Sequence, residues 1–316
     1  MTTSSSSIAY QKIADLRAMI GTVIKGKETV INQAITALIA DGHLLIEDVP
    51  GVGKTTLGHA LAVAVGSSFS RLQFTSDLLP SDVLGVAVFN PDSRAFDFKP
   101  GPIFANIVLA DEINRTTPKT QSALLEAMNE HQVTIDNVTR ELPRPFMVLA
   151  TQNPVEHHGT YPLPESQLDR FLMKIEMGYP DASAEREILR NGTNGAAYNV
   201  AKPVMGPHQV LDLQNEARRI HVGDAITDYM IEIVNRTRDH EEIQLGISPR
   251  GTTAMYRASQ ARAMVHERDY VVPDDVKALA GPVFAHRIVL ARGGSSTPAD
   301  AVAVLDEILG NIPVPA

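Results

Sequence analysis

The N-terminal part of the chain shows a helical pattern of apolar positions. Over residues 8–41, residues such as Ile31, Ile35 and Leu38 recur at three- and four-residue spacing, which places them on one face of a helix. The glycine at position 42 follows the last of these positions and ends the pattern, as a glycine after a helix commonly does. We therefore expect helix from Ile8 to about residue 41.

Four short apolar runs predict buried strands. Most of their residues are apolar, as in strands that are buried on both faces, and helical patterns separate them. The runs cover residues 43–49, 107–110, 146–150 and 173–177. This arrangement is typical of a parallel sheet with helices on both faces, so the sequence predicts the α/β fold class.

The pattern changes near Tyr179 and Pro180, beyond which no strand is predicted. Amphipathic helices are predicted over residues 210–219, 224–238, 252–267 and 274–289. We therefore predict three regions, which are a short disordered tail over residues 1–7, an α/β core over 8–180 and an all-helical lid domain over 181–316.

Two polar segments are predicted to be loops. The segment 191–197 is rich in Asn and Gly and lies close to the join between the two predicted domains. The segment 156–158 reads Glu-His-His, and adjacent His side chains do not easily share one metal ion. We therefore interpret it as a polar loop and not as a metal site.

Composition places the chain among ordinary globular proteins and narrows its function. The 316 residues carry a net charge of −9 at pH 7, which disfavours a dedicated nucleic-acid-binding protein. No apolar run reaches the roughly 18 residues that a membrane-spanning helix needs. The chain has no Cys, which excludes disulfide and thiolate chemistry and fits a reducing, cytoplasmic location.

A glycine-rich turn follows the first predicted strand and precedes a predicted helix, which is the position of a phosphate-binding loop. Glycines let backbone N–H groups approach phosphates, and the helix N-terminus adds partial positive charge. Lys54 would reach the β- and γ-phosphates of ATP, and the Thr55 hydroxyl would bind Mg²⁺. The predicted nucleotide-binding residues here are Pro50, Gly51, Val52, Gly53, Lys54, Thr55 and Thr56. Asp48 stands where the general pattern has Gly, so we expect a local change in turn geometry.

Two adjacent carboxylates follow the second predicted strand. Asp111 would hold the magnesium ion through water, and Glu112 would orient or polarise the attacking water. Many buried strands end in an acidic residue, so this motif alone is not specific. It indicates a nucleotide site only in combination with the phosphate loop that precedes it. Together the two motifs predict a magnesium-dependent ATPase.

Three further polar residues are candidates for functional roles. Asn153 follows the strand predicted at 146–150, and ligands of open α/β sheets bind outside such strand ends. Each also has a plain structural interpretation. Asn153 precedes a Pro and suits a turn, Arg170 suits a surface charge, and Arg250 suits a solvated residue at a helix start. For the two arginines, residue chemistry alone favours these interpretations.

Four segments together resemble the MoxR family of AAA+ ATPases. They cover residues 49–56, 111–115, 150–154 and 161–171. The last of these, Tyr-Pro-Leu-Pro-Glu-Ser-Gln-Leu-Asp-Arg-Phe, is far more specific than the phosphate loop. The similarity extends from about residue 24 to the final helices, which is nearly the whole chain.

The resemblance implies roles that spacing alone does not give. Asn153 matches the sensor-1 position, which contacts the γ-phosphate or the attacking water. Arg170 matches the arginine finger, which reaches the ATP of a neighbouring subunit. Arg250 matches sensor 2 in the helical lid. With Glu112 these are the expected catalytic residues, and the expected cofactors are ATP and Mg²⁺.

The resemblance also implies insertions and partners. Residues 86–98 and 133–142 are predicted to be β-hairpins, and in the family such insertions face the ring pore or the partner protein. AAA+ proteins usually form hexameric rings. MoxR-like members act as chaperones that remodel or activate other proteins, often ones with a von Willebrand factor A domain.

Three functional hypotheses follow. The leading one is ATP hydrolysis coupled to the remodelling of a partner protein. A nucleic-acid motor or restriction-type NTPase on the same scaffold is disfavoured by the net charge of −9 and by the lack of a mixed aromatic and basic run. A scaffold that binds ATP without hydrolysing it would need neither Glu112 nor Arg170.

Overall fold

The computed structural model describes residues 3–153, 159–191, 202–291 and 298–315. The strands are β1 (Leu44–Glu47), β2 (Phe69–Gln73), β3 (Gly85–Asn90), β4 (Ala95–Pro100), β5 (Ile107–Asp111), β6 (Gln132–Ile135), β7 (Val138–Glu141), β8 (Met147–Gln152), β9 (Met173–Ile175), β10 (Ile243–Leu245) and β11 (Val289–Leu290). The predicted loops at 156–158 and, apart from Asn191, at 191–197 lie outside the described residues.

The described helices lie mainly between the strands and after the last strand of the sheet. In chain order they are α1 (Thr3–Val23), α2 (Glu28–Ile39), α3 (Lys54–Ala64), α4 (Pro80–Leu84), α5 (Pro118–Glu130), α6 (Glu165–Leu168), α7 (Ala182–Asn191), α8 (Pro207–Ala217), α9 (Asp224–Asp239), α10 (Pro249–Val265), α11 (Pro273–Phe284) and α12 (Pro298–Asn311). No helix among these described residues is long and apolar enough to cross a membrane.

Five parallel strands form the central sheet in the order β2-β5-β8-β1-β9. The α/β fold class is therefore confirmed, and four of the five strands are the predicted apolar runs. The sequence analysis missed β2 as a strand because it lies at the sheet edge. Only Leu72 of this strand is buried, so its sequence contains no apolar run.

The N-terminal segment differs from the sequence prediction in two ways. Helix α1 begins at Thr3, so the tail predicted to be disordered over residues 1–7 is helical from Thr3 onward. The buried stripe of α1 anchors a helix that then extends backwards at little cost, since Ser is only modestly unfavourable in helices. The single predicted helix is also divided into α1 and α2, with Gly26 at a positive φ between them.

Two hydrophobic clusters cover the two faces of the sheet. One cluster packs α4 and α5 against β5 and β8. The other joins α1, α2 and α3 to the helices that follow the sheet, and α10 packs directly on α2. The lid domain therefore shares its core with the N-terminal helices and with one face of the sheet.

Two antiparallel hairpins stand outside the central sheet. Strands β3 and β4 pair from Gly85 opposite Pro100 to Asn90 opposite Ala95, and β6 pairs with β7. They occupy the segments that the resemblance assigned to insertions. The lid is helical, but it also contains the short antiparallel pair β10–β11, which the all-helical prediction missed because two or three residues carry no periodicity.

His43 joins three elements beneath the sheet. Its Nε2 lies 3.0 Å from the carbonyl oxygen of Met128 in α5, and its Nδ1 accepts a hydrogen bond from the backbone N–H of Val148 at 3.0 Å. Because a carbonyl only accepts and an amide N–H only donates, the neutral ring must carry its proton on Nε2. Burial lowers the pKa of His43 to about 4.

This buried histidine predicts a loss of stability in mild acid. An unfolded His has a pKa near 6.5. Between about pH 6.5 and 4, His43 therefore binds a proton in the unfolded chain but stays neutral in the folded chain. The free energy of unfolding should be full above about pH 6.5 and should fall by up to about 3 kcal/mol as the pH drops towards 4. Urea unfolding at several pH values measures this slope.

The neutral variant His43→Gln should show a flatter dependence of stability on pH than the parent chain. A matched control is His208→Gln, since His208 is exposed. This control should keep the parent slope. Equal slopes for His43→Gln and the parent would contradict the assigned role of His43.

Candidate nucleotide-binding site

The carboxyl ends of β1, β8, β5 and β2 meet at one edge of the sheet because these four strands are parallel neighbours. A cavity of about 340 Å³ opens there. Nine of the residues predicted to bind or hydrolyse nucleotide line it, which are Pro50, Gly51, Gly53, Lys54, Thr55, Thr56, Asp111, Glu112 and Asn153. Val52 packs against the hydrophobic core next to the loop.

The loop between β1 and α3 needs its glycines for backbone conformation. Gly51 has φ +88° and Gly53 has φ +99°, a region that other residues enter only with strain. Helix α3 begins at Lys54, immediately after Gly53, so its first N–H groups lie at the cavity. The Lys54 ammonium donates 2.7 Å to the carbonyl of Asp48 and 3.3 Å to that of Val49, across the loop.

Asp48 stands where the general pattern has glycine, and its side chain forms hydrogen bonds that a glycine could not form. Its carboxylate accepts 2.7 Å from the N–H of Val49 and 2.6 Å from the N–H of Gly178. Gly178 lies just beyond β9, on the connection to the lid. The substituted residue thus fixes the start of the phosphate loop to the segment that leaves the sheet.

Asp111 is buried and both of its carboxylate oxygens have partners. Oδ1 accepts 2.6 Å from the hydroxyl of Thr151, and Oδ2 accepts 2.7 Å and 3.2 Å from Nη2 and Nε of Arg71. The Thr151 hydroxyl in turn accepts 2.8 Å from the N–H of Glu112. Thr151 therefore sets the positions of both acidic residues.

Glu112 lies at φ +58°, a left-handed conformation that is uncommon outside glycine. Its carboxylate accepts 2.7 Å from the side-chain amide of Gln73 and 3.1 Å from Nε of Arg115. Strain of this kind concentrates at functional sites, and here it turns the carboxylate of Glu112 towards the strand β2.

The charges in the cavity act on one another. Partial burial lowers the pKa of Lys54, while the nearby carboxylates of Asp111, Asp48 and Glu112 oppose this effect and favour the charged ammonium. Thr55 and Asp111 both line this cavity and offer the hydroxyl and carboxylate oxygens that Mg²⁺ prefers. The residues therefore fit a magnesium ion held partly by the protein and partly by phosphates.

Two cavity residues were missed by the sequence analysis. Arg71 and Gln73 both lie on β2, and Gln73 pairs in register with Asp111. Since β2 itself carried no strand signal, nothing placed its polar side chains beside the acidic pair. Thr151 was missed because a hydroxyl inside an apolar strand has no distinctive pattern.

Arg170 and Arg250 lie elsewhere, at a second cavity of about 560 Å³. Nη1 of Arg170 donates 2.8 Å to the carbonyl of Leu125, and Nη2 of Arg250 donates 2.8 Å to Oδ1 of Asn129. Leu125 and Asn129 are four residues apart in α5, so both arginines are held on one face near its C-terminal end. That end carries partial negative charge and favours cations.

The lid is attached to the core beside this second cavity. The carboxylate of Asp169 accepts 2.7 Å from Nε of Arg287 and 3.1 Å from the hydroxyl of Ser248. Arg287 is buried, and its guanidinium also donates to the backbone carbonyls of Phe171, Leu172 and Val283. Ser248 precedes α10, the helix that carries Arg250.

Comparison with known proteins gives consistent results for both parts of the chain. The family described as ATPase family associated with various cellular activities (AAA) matches residues 43–173, and an AAA lid domain matches residues 235–308. A candidate ATPase from Cytophaga hutchinsonii has a solved structure that superposes with a TM-score of 0.89 at 38% identity, over 98% of this chain and 97% of that one.

Relatives with similar sequences extend over most of the chain. The Bacillus subtilis protein YeaC is 48% identical over 98% of each chain. The chaperone MoxR1 of Mycobacterium tuberculosis is 40% identical over 93% of this chain and 80% of its own length. A MoxR protein of Paracoccus denitrificans is 29% identical over 99% of each chain. The fold, the residues gathered at the strand ends and these relatives show that this chain belongs to the MoxR family of AAA+ ATPases.

Proposed function

We propose that the protein hydrolyses ATP with Mg²⁺ and uses this hydrolysis to remodel or activate a partner protein. One observation carries the proposal of hydrolysis. A lysine, a hydroxyl, two carboxylates and an amide converge on the cavity at the strand ends, where they are Lys54, Thr55, Asp111, Glu112 and Asn153. This set supplies phosphate binding, metal binding and activation of water, which are the requirements of phosphoryl transfer.

Each side chain has a distinct task in this proposal. The loop N–H groups and the Lys54 ammonium bind the phosphates, and Lys54 offsets the charge that develops in the transition state. The Glu112 carboxylate orients the attacking water, and Asn153 holds the water or the γ-phosphate. Thr55 and Asp111 would hold the magnesium ion, whose bound charge neutralises the phosphate oxygens.

The first prediction separates binding from hydrolysis. Lys54→Ala should weaken ATP binding by about tenfold or more, because a charged hydrogen bond to phosphate is worth about 1.5–3 kcal/mol. Glu112→Gln should keep its ATP affinity and lose hydrolysis by a factor on the order of 10²–10⁴, because the amide cannot take a proton from water. Calorimetry with ATP and a phosphate-release assay measure the two effects.

Normal hydrolysis in Glu112→Gln would show that the catalytic carboxylate is a different one. If the unmutated chain binds ATP but never releases phosphate, the scaffold hypothesis holds and hydrolysis is excluded. Glu112→Gln also serves as a trap, because a variant that keeps ATP bound should retain its partner protein.

The second prediction concerns the residue that departs from the general phosphate-loop pattern. Asp48→Gly should lower the free energy of unfolding by about 3 kcal/mol and weaken ATP binding, because two partly buried hydrogen bonds to a charged acceptor are lost and each is worth at least about 1.5 kcal/mol. Asp48→Asn keeps one acceptor oxygen, so its free energy of unfolding and its ATP affinity should lie between those of the parent chain and of Asp48→Gly. Urea unfolding and calorimetry test this, and parental stability in Asp48→Gly would refute the assigned role.

We further propose that Arg170 and Arg250 act on the nucleotide of a neighbouring copy in a hexameric ring. Two features support this proposal. The arginines line a cavity that is separate from the one that contains Lys54, and α5 holds both of them on one face. A guanidinium suits the task because it stays charged and presents planar donors to phosphate oxygens.

A mixing experiment provides the third prediction. Arg170→Ala should bind ATP but lose hydrolysis by a factor on the order of 10³–10⁵, the contribution of an arginine finger. At an ATP concentration well below its raised dissociation constant, Lys54→Ala should leave its own site largely empty but still donate its arginines. Mixed rings of the two variants should therefore recover part of the phosphate release. Failure to recover, in mixed rings shown to have formed, would place both residues at one site within a single chain.

A second mixture, of Arg170→Ala with Arg250→Ala, determines whether Arg250 acts within its own chain or across the interface. If Arg170 and Arg250 both serve the neighbour, a mixture of Arg170→Ala and Arg250→Ala contains no subunit with a complete donor surface and should stay inactive. Recovery in that mixture would instead assign Arg250 to the nucleotide of its own chain.

The hairpin β3–β4 is our candidate for contact with the partner protein. It carries two exposed aromatic side chains, Phe89 and Phe96, whose ring centroids lie 5.4 Å apart. Exposed apolar pairs on a structure that projects from the core favour protein contact over solvent. The name of the chaperone MoxR1 suggests a protein partner. The resemblance to the MoxR family suggests that this partner contains a von Willebrand factor A domain, and the Glu112→Gln trap tests this directly.

A further inference from the structure

Arg71 occupies the nucleotide cavity without a role in the proposed function. It extends from β2, and its Nη2 and Nε lie 2.7 Å and 3.2 Å from Oδ2 of Asp111. The side chain of Asp111 is only 12% exposed, whereas that of Arg71 is 50% exposed. The acid is therefore fixed, and the arginine has space to move away from it.

The contact between Arg71 and Asp111 involves the carboxylate that is predicted to hold the magnesium ion. The other oxygen, Oδ1, already accepts from Thr151 at 2.6 Å. Oδ2, whose partner Arg71 is half-exposed, is therefore the oxygen that a metal ion can reach. A guanidinium at Oδ2 occupies its lone pairs and repels a cation that approaches the same oxygen. Arg71 and the hydrated metal ion therefore exclude each other at this carboxylate.

Arg71 also reaches the catalytic carboxylate through one intermediate residue. Its Nη2 donates 3.1 Å to Oε1 of Gln73, and Nε2 of Gln73 donates 2.7 Å to Glu112. Because the carbonyl oxygen of Gln73 faces the guanidinium, its NH₂ group must face Glu112. The result is a continuous chain of contacts from Asp111 to Glu112.

We propose that Arg71 is a resident counter-ion of Asp111 that the magnesium ion displaces. In leaving Asp111, the guanidinium also leaves Gln73, and the amide of Gln73 loses the contact that aims it at Glu112. Metal loading thereby weakens one of the two contacts that hold the Glu112 carboxylate, while the contact with Arg115 remains. This inference rests on the proposed function, since it concerns the same nucleotide cavity.

The test is the affinity of Mn²⁺ for the ADP-bound chain, measured by electron paramagnetic resonance of the free ion. Arg71→Ala removes the competitor and should bind Mn²⁺ about three- to tenfold more tightly than the parent chain. Arg71→Lys keeps the charge and should stay within about twofold of the parent. The matched control Arg115→Ala removes a guanidinium that ion-pairs with Glu112 instead, and should also change Mn²⁺ affinity by less than about twofold.

Unchanged or weaker Mn²⁺ binding in Arg71→Ala would overturn the inference. So would a tenfold loss of ADP affinity for Arg71→Ala in the presence of a metal chelator, which would make Arg71 a phosphate ligand. The proposed function fails in a different way, namely if the unmutated chain binds no nucleotide. Thermal unfolding of each variant confirms that the half-exposed side chains can be removed without loss of the fold.

Discussion

The site depends on one constraint, the parallel order of four neighbouring strands. Parallel strands place their carboxyl ends at the same edge, so β1, β8, β5 and β2 bring together groups that are far apart in sequence. The phosphate loop, Asn153 and the acidic pair follow or end these strands, and Arg71 lies within β2, two residues before its end. A different order would leave every motif intact and separate the lysine from the carboxylates.

A second constraint fixes the lid. Burial lowers the pKa of Arg287, and the adjacent Asp169 opposes this effect and keeps the guanidinium charged. Removing one partner of such a buried pair commonly costs about 3–5 kcal/mol, because the other charge is left unpaired. A lid that turned at residue 180 as a separate body would have to break this pair and the core shared by α2 and α10. The segment of Arg170 and the lid helix of Arg250 are therefore expected to move together.

The parts of this site that could be predicted from the sequence are those whose residues are adjacent along the chain. The phosphate loop and the acidic pair each follow an apolar run, so strand and chemistry could be inferred together. The contact between Arg71 and Asp111 could not be predicted. Arg71 lies on an edge strand that is too exposed to contain an apolar run. Likewise, the contact between Asp48 and Gly178 joins residues 130 positions apart, and only the folded chain brings them together.

Under the proposed function, the charges at the second cavity link nucleotide binding to assembly of the ring. Five arginines line it against two aspartates, in a chain whose net charge is −9. They are Arg170, Arg218, Arg250, Arg257 and Arg287. Asp41 and Asp169 each pair with some of them, and Arg250 adds to the effects that lower the pKa of Arg287. Under the proposed function, an anion brought by another copy would relieve this repulsion. By thermodynamic linkage, a nucleotide that strengthens the interface is itself bound more tightly within the ring, under the proposed function.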